Sequence, residues 1–153
     1  MERPAEKILV LHGPNLNLFG RREPHIYGTM TLEEINERLR RLADEIRVEL
    51  VVVQSNHEGV LVDTLQKHMD AVQGCVLNPA ALTQHGVSLH DCIKAMPFPV
   101  VEVHLSNLAT REAWRQHSII SPAVRGTVQG LGWRSYTAAL RTLVEIVREP
   151  KKA

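Results

Sequence analysis

Ile8-Leu9-Val10-Leu11, followed by the turn His12-Gly13-Pro14-Asn15-Leu16-Asn17, begins a unit that continues through Thr31-Leu32-Glu33-Glu34-Ile35 to Ile46 and ends in Val48-Glu49-Leu50-Val51-Val52-Val53. The two apolar runs have the length and aliphatic content of buried strands. Between them, Thr31 and Glu34 stand three apart as a capping box. Leu32, Ile35, Leu39, Leu42 and Ile46 then recur at helical spacing, which leaves Arg38, Arg40 and Arg41 on a solvated face. Strand, helix, strand is the minimal parallel unit.

The pattern repeats outward. Cys75-Val76-Leu77, Val100-Val101-Glu102-Val103 and residues 124–128 supply three more apolar runs, and helical stretches are expected over 59–70, 87–95, 110–116 and 136–148. The last carries Tyr136, Leu140, Leu143 and Val147 as its inner stripe. Five β/α units in 153 residues predict a flavodoxin-like α/β fold, a three-layer sandwich with a five-stranded parallel sheet. An eight-fold barrel needs about 250 residues. We expect a single catalytic domain over 1–153, with its core at about 7–148 and short flexible ends such as Lys151-Lys152-Ala153.

Composition narrows the function. Hydrophobic residues are 44% and charged residues 23% of the chain, enough for an ordinary core. Eighteen Lys and Arg against 17 Asp and Glu leave a formal charge of +1, with no basic excess to follow a phosphate backbone, so no nucleic-acid partner is expected. No apolar stretch reaches the roughly 18–20 residues of a membrane span. Met1-Glu2-Arg3-Pro4-Ala5-Glu6-Lys7 lacks the apolar core of a secretion signal, so a cytoplasmic protein is expected. Cys75 and Cys92, far apart in apolar surroundings, read as small buried residues.

In open parallel sheets ligands bind beyond the carboxyl ends of the strands. Those ends carry Asn15 and Asn17, then Gln54-Ser55-Asn56-His57-Glu58, then Asn78-Pro79-Ala80-Ala81, then His104-Leu105-Ser106-Asn107. Each residue alone has an ordinary explanation as a cap or turn; their concentration on one edge points to a site. The connection over 18–30 is long for a β/α loop and reads as a lid, hinged at Gly20 and Gly28 and carrying Arg21, Arg22 and Tyr27. Strand one lacks the acidic cluster of a phosphoacceptor domain and the three close glycines of a dinucleotide fold. A metal hydrolase built on His12, His57, His85 and His104 is an alternative, although no His pair at ligand spacing occurs there.

Gly13-Pro14-Asn15-Leu16-Asn17, Gly20-Arg21-Arg22-Glu23-Pro24 with Tyr27-Gly28, Gln54-Ser55-Asn56-His57-Glu58-Gly59, Glu102-Val103-His104-Leu105-Ser106-Asn107 and Gly130-Leu131-Gly132 together resemble type II 3-dehydroquinate dehydratase. The likeness runs from about Lys7 to Val147, in order. It implies loss of water from 3-dehydroquinate to give 3-dehydroshikimate, in aromatic amino acid biosynthesis or quinate breakdown. It also implies no metal or organic cofactor, and trimers assembled into a homo-dodecamer.

The resemblance assigns roles that the chemistry explains. Elimination beside a ketone needs a base, a stabiliser for the enolate and an acid for the departing hydroxyl. Tyr27 matches the base. A free phenol ionises near pH 10, and lowering that by two units takes about 2.7 kcal/mol. A unit charge at about 4 Å supplies roughly 4 kcal/mol at an effective dielectric of 20. Arg22 is the expected source, with Arg21 a neighbour. His104 matches the acid, with Glu102 two residues earlier on the same face of an extended strand to orient it. Asn15 matches the residue that holds a water against the enolate oxygen. Substrate contacts fall to Asn78, Ser106 and Arg115. The amides of Leu105 and Ser106, ahead of a helix expected near Thr110, would receive the carboxylate. Asp91 matches a residue lent by an adjacent subunit.

Two departures stand out. Where the family has Thr-His-Thr-Ser this chain has Thr83-Gln84-His85-Gly86, so a ring-contacting His is replaced by Gln84, which hydrogen-bonds but carries no charge. The residue before Asp91 is His90 where Arg is usual. Both fall on recognition and assembly rather than on Tyr27, Arg22 and His104. A relative that binds a cyclohexane carboxylate without turnover is the non-enzyme alternative.

Overall fold

Strand β1 (Glu6–His12) runs through the interior of a parallel sheet because its residues 8–12 are buried on both faces. It pairs with β2 (Val48–Gln54) on one side and β3 (Gly74–Asn78) on the other; β4 (Val100–His104) and β5 (Gly126–Gln129) extend the sheet, in the order β2-β1-β3-β4-β5. This is the flavodoxin-like strand order. The structure, a computed structural model, describes residues 4–152. Met1, Glu2 and Arg3 of the leader reading, and Ala153 of the expected tail, lie outside the described residues. Among the described residues no helix is long and apolar enough to cross a membrane.

The first unit forms as its sequence predicts. Helix α2 (Leu32–Ile46) starts on Thr31, which accepts from Glu34 N while the Glu34 carboxylate accepts from Thr31 N, both at 3.2 Å. A shorter helix α1 (Pro24–Tyr27) precedes it inside the lid, with proline at a first-turn position where its missing N–H costs nothing. Helices α3 (Glu58–Lys67), α4 (Leu82–His85), α5 (Val87–Ala95) and α6 (Arg134–Arg148) follow. The fifth strand begins at Gly126, two residues later than expected, because Ser121–Ala123 form a 3-10 turn around Pro122.

One expected helix is absent. Residues 110–116 form no α-helix; the segment holds separate 3-10 turns at Leu108–Thr110 and Ala113–Arg115. It lacks an apolar stripe to bury: Trp114 is 62% exposed, while the chemistry-bearing Arg111 turns inward.

The sheet separates two cores. Alternation along β1 sends Ile8 and Val10 toward α2 and α6, where they meet Ile35, Leu39, Tyr136, Leu140 and Leu143. Leu9 and Leu11 face α3 and α5 and meet Leu61, Leu65, Leu89 and Ile93. Each fully buried aliphatic side chain contributes roughly 1.5–3 kcal/mol. Cys75 and Cys92 are buried in the second core, and burial pushes both thiols upward, which keeps them as unreactive packing groups.

Candidate active site

Glu102 and His104 alternate outward from the same face of β4, as period-two geometry requires. His104 Nε2 lies 2.6 Å from Glu102 Oε2. Glu102 is fully buried. Burial alone would raise its carboxyl, but the His104 hydrogen bond and charge, with hydroxyl donors Ser121 and Thr83, outweigh it and hold the group below the ordinary carboxylate range. Ser121 Oγ donates to Oε1 at 2.7 Å and Thr83 Oγ1 donates to Oε2 at 2.7 Å. The ring is thereby fixed through Nε2. Among the described residues Nδ1 meets no protein hydrogen-bond partner, and the imidazole lines the cleft at the sheet edge.

The opposite wall comes from the lid. Gly20 and Gly28 take φ values of +91° and +84°, a region costly for other residues, and bracket the segment that brings Arg22 and Tyr27 over the edge. Phe19 packs against Tyr27 with ring centroids 5.7 Å apart and ties the lid to the α2/α6 core. The Arg22 guanidinium stands 5.0 Å from the Tyr27 ring centroid, a cation over a face rather than beside the hydroxyl. The cation at the hydroxyl is Arg111: its Nη1 donates to Tyr27 Oη at 3.2 Å and to Ser106 Oγ at 3.1 Å. Arg22, the expected source of the field, thus stands at the ring of Tyr27, with Arg111 at its hydroxyl. Arg111 was read into the helix expected over 110–116, and its only sequence signal was its place seven residues after His104.

Arg111 has a further feature. Its side chain is 9% exposed, and its Nε is a buried donor with no hydrogen-bond partner. An unpaired buried N–H is costly, so the arrangement is suited to an oxygen-rich ligand.

Around these groups the cleft gathers Asn78, Gln84, Leu105, Ser106 and Arg115, together with Leu16, Phe19 and Leu108. Arg115 Nε donates to Glu112 at 2.7 Å, and Gln84 Nε2 donates to the Arg115 carbonyl at 3.0 Å. Gln84 therefore anchors the turn that carries Arg115. With no helix at Thr110, the amides of Leu105 and Ser106 belong to a loop and have no helix terminus behind them. Gly13 fits β1 against β3 so closely that a Cβ there would sit 2.7 Å from the Pro79 carbonyl oxygen.

Two expected residues lie outside this cleft. Asn15 is exposed in a left-handed turn at φ 67°, its N–H donating to Asn56 Oδ1 at 2.9 Å. Asp91 is exposed on α5 and meets His90 Nδ1 at 2.9 Å. The four edge histidines do not converge: His12 binds Tyr136 and Asn36 on the α2/α6 face, His104 binds Thr83 and Glu102 on the other, and His57 and His85 are exposed. Among the described residues no three His, Cys, Asp or Glu side chains form a metal-holding group. Sequence reading missed Thr83, Ser118 and Ser121, because hydroxyls that support a buried carboxylate leave no spacing signature.

A flavodoxin-like sheet whose carboxyl edge sets a carboxylate-backed histidine and an arginine-flanked tyrosine in one cleft defines an α/β protein with an acid–base site. Residues 6–144 match the family described as Dehydroquinase class II. The chain is 48% identical over 139 residues to 3-dehydroquinate dehydratase of Herpetosiphon aurantiacus, covering 91% of this chain and 96% of that protein. It is 50% identical over 135 residues to the protein of the same name from Pelotomaculum thermopropionicum, covering 88% and 94%. The crystal structure of type II dehydroquinase from Butyrivibrio crossotus superposes with a TM-score of 0.90 at 34% identity, covering 92% of this chain and 98% of that one. The chain belongs to the class II dehydroquinase family.

Proposed function

We propose that the chain is a lyase that dehydrates 3-dehydroquinate to 3-dehydroshikimate, acting as a single catalytic domain. The reading rests on one observation above others: Tyr27 with Arg111 at its hydroxyl and His104 with Glu102 behind it line one cleft. Tyr27 takes the proton from the carbon beside the ketone, and Arg111 and Arg22 face the negative charge it carries before that step. The electron pair moves to the ketone oxygen as an enolate. As the enolate collapses, the β-hydroxyl leaves on the opposite side of the ring and takes a proton from His104 Nδ1, forming water and a conjugated enone. Glu102, bound to Nε2, stabilises the imidazolium before transfer. The balance contains only proton transfers and the departure of water.

Arg115, Asn78, Ser106, the Leu105 and Ser106 amides and Gln84 hold the substrate carboxylate and hydroxyls. Asn15 contributes through a water held at the enolate oxygen. Asp91 reaches the site of a neighbouring subunit in a dodecamer of trimers. Exposed Val87, four residues before Asp91 on α5, and exposed Val60 on the adjoining α3 support a subunit contact there. The setting is the cytoplasm, in aromatic amino acid biosynthesis (the shikimate pathway) or in quinate catabolism.

The test is to mix purified protein with 3-dehydroquinate and follow the ultraviolet absorbance of the enone. Growth of that absorbance is expected; none above the uncatalysed rate refutes the activity. Light scattering tests assembly, since twelve copies of a 17.2 kDa chain give about 206 kDa. A particle of one chain's mass refutes it.

A further inference from the structure

Behind the cleft lies a polar network of which the reaction as proposed uses only Asn78. His12, Tyr136, Asn36 and Asn78 are 0%, 0%, 6% and 2% exposed and come from β1, α6, α2 and β3. His12 and Asn78 are register partners across the β1–β3 ladder, so their side chains leave the same face of the sheet. His12 Nε2 lies 2.8 Å from Asn36 Oδ1 and Nδ1 lies 2.8 Å from Tyr136 Oη.

The chain of bonds has one consistent direction. Asn36 Oδ1 only accepts, so His12 Nε2 carries the proton and donates. Nδ1 is then a lone pair, and the Tyr136 hydroxyl donates to it. With its proton committed, the Tyr136 oxygen keeps lone pairs that can only accept, and the Asn78 carboxamide is the polar neighbour on that side. The Asn78 oxygen is meanwhile occupied by the Ala80 N–H at 3.1 Å. One amide hydrogen of Asn78 thus points to Tyr136 and its second is the group left for the cleft that Asn78 lines.

We propose that Tyr136, with His12 and Asn36 behind it, is a positioning residue for substrate recognition, fixing the Asn78 carboxamide so that an N–H faces a carboxylate or hydroxyl oxygen of the ligand. The inference rests on the reading that Asn78 meets the substrate. Buried polar networks of this kind specify a single arrangement when every member is satisfied. Without the Tyr136 hydroxyl the carboxamide is held only by the Ala80 N–H on its oxygen, and its N–H is aimed less firmly at the ligand.

The experiment is steady-state kinetics on the assembled full-length enzyme, comparing Tyr136→Phe, Asn78→Ala and the double variant. Tyr136→Phe is expected to raise KM for 3-dehydroquinate about tenfold, equivalent to about 1.4 kcal/mol, while kcat changes far less. In the Asn78→Ala background, where KM is already raised, Tyr136→Phe is expected to add nothing. A lowered thermal midpoint with unchanged KM, or a full tenfold effect added in the Asn78→Ala background, overturns the proposal. Should Tyr136→Phe fail to assemble, His12→Asn, which changes what the hydroxyl donates to, carries the same test: a raised KM supports the proposal and an unchanged KM overturns it. If Asn78→Ala raises KM and neither network variant does, only this inference falls. If Asn78→Ala leaves KM unchanged, the placement of Asn78 at the substrate falls and takes the inference with it.

Discussion

Acidification should weaken the fold through His12 before it affects most carboxylates. Burial lowers the His12 imidazole from 6.5 to about 4, against a smaller opposing pull from its bond to Asn36. The folded value lies below the unfolded one, so the unfolded chain binds the proton first, and stability that is complete above about pH 6.5 declines as the pH falls toward 4. At about 1.4 kcal/mol per unit, the full loss is about 3 kcal/mol, of which about 2 kcal/mol has gone near pH 5. Glu102 acts in the same direction, but its carboxyl is held below the ordinary value of 4.5, so its contribution is lost only below that. The interval from about 6.5 to 4.5 therefore separates His12 from Glu102, and comparison with a His12 variant separates it from the other histidines. Urea unfolding followed by tryptophan fluorescence, at fixed protein concentration, measures it. His12→Asn, which cannot protonate in this range, should be less stable at neutral pH yet change less across the interval. Parallel pH curves for the two proteins refute the argument.

Tyr27→Phe removes the proposed base and leaves the anion contacts, so kcat should drop by about 10²–10⁴ while a substrate-like carboxylate still binds by calorimetry; retained turnover contradicts the assignment. Arg111→Lys keeps a charge but not the planar fork that reaches Tyr27 and Ser106 together, and kcat should fall at least about tenfold. A wild-type kcat there returns the role to Arg22. Gln84→His retains an N–H donor and should leave KM for 3-dehydroquinate equal or lower. Collapse of kcat/KM in that variant shows that the turn carrying Arg115 depends on the longer amide.

What could be read from residues alone follows from how local each signal is. The Thr31–Glu34 box and the stripe after it define α2 to the residue, since both the capping bonds and the periodicity act within a few positions. The Glu102–His104 pair was equally legible, because two residues along a strand share a face. Asn36 was not singled out: its place in the apolar face of α2 makes sense only once His12, 24 residues away, accounts for it. Tyr136 counted as one more apolar member of α6, although its hydroxyl requires partners that β1 and β3 supply. The turns at 108–115 defeated the reading for the opposite reason. Ala109 to Gln116 has acceptable helix formers, but its polar side chains are drawn individually toward Tyr27, Ser106 and Glu112, and no common face survives.

The sheet that divides the interior also divides the work at its rim. Tyr27 and Phe19 lean on the layer formed by α2 and α6, whereas Thr83, which braces Glu102 and His104, follows Leu82 in the layer formed by α3 and α5. In the proposed reaction, proton removal and proton return are therefore braced by separate stocks of packing, one on each face of the sheet. Variation can accumulate behind one partner without disturbing the aim of the other, which gives a lineage two nearly independent dials on the same reaction.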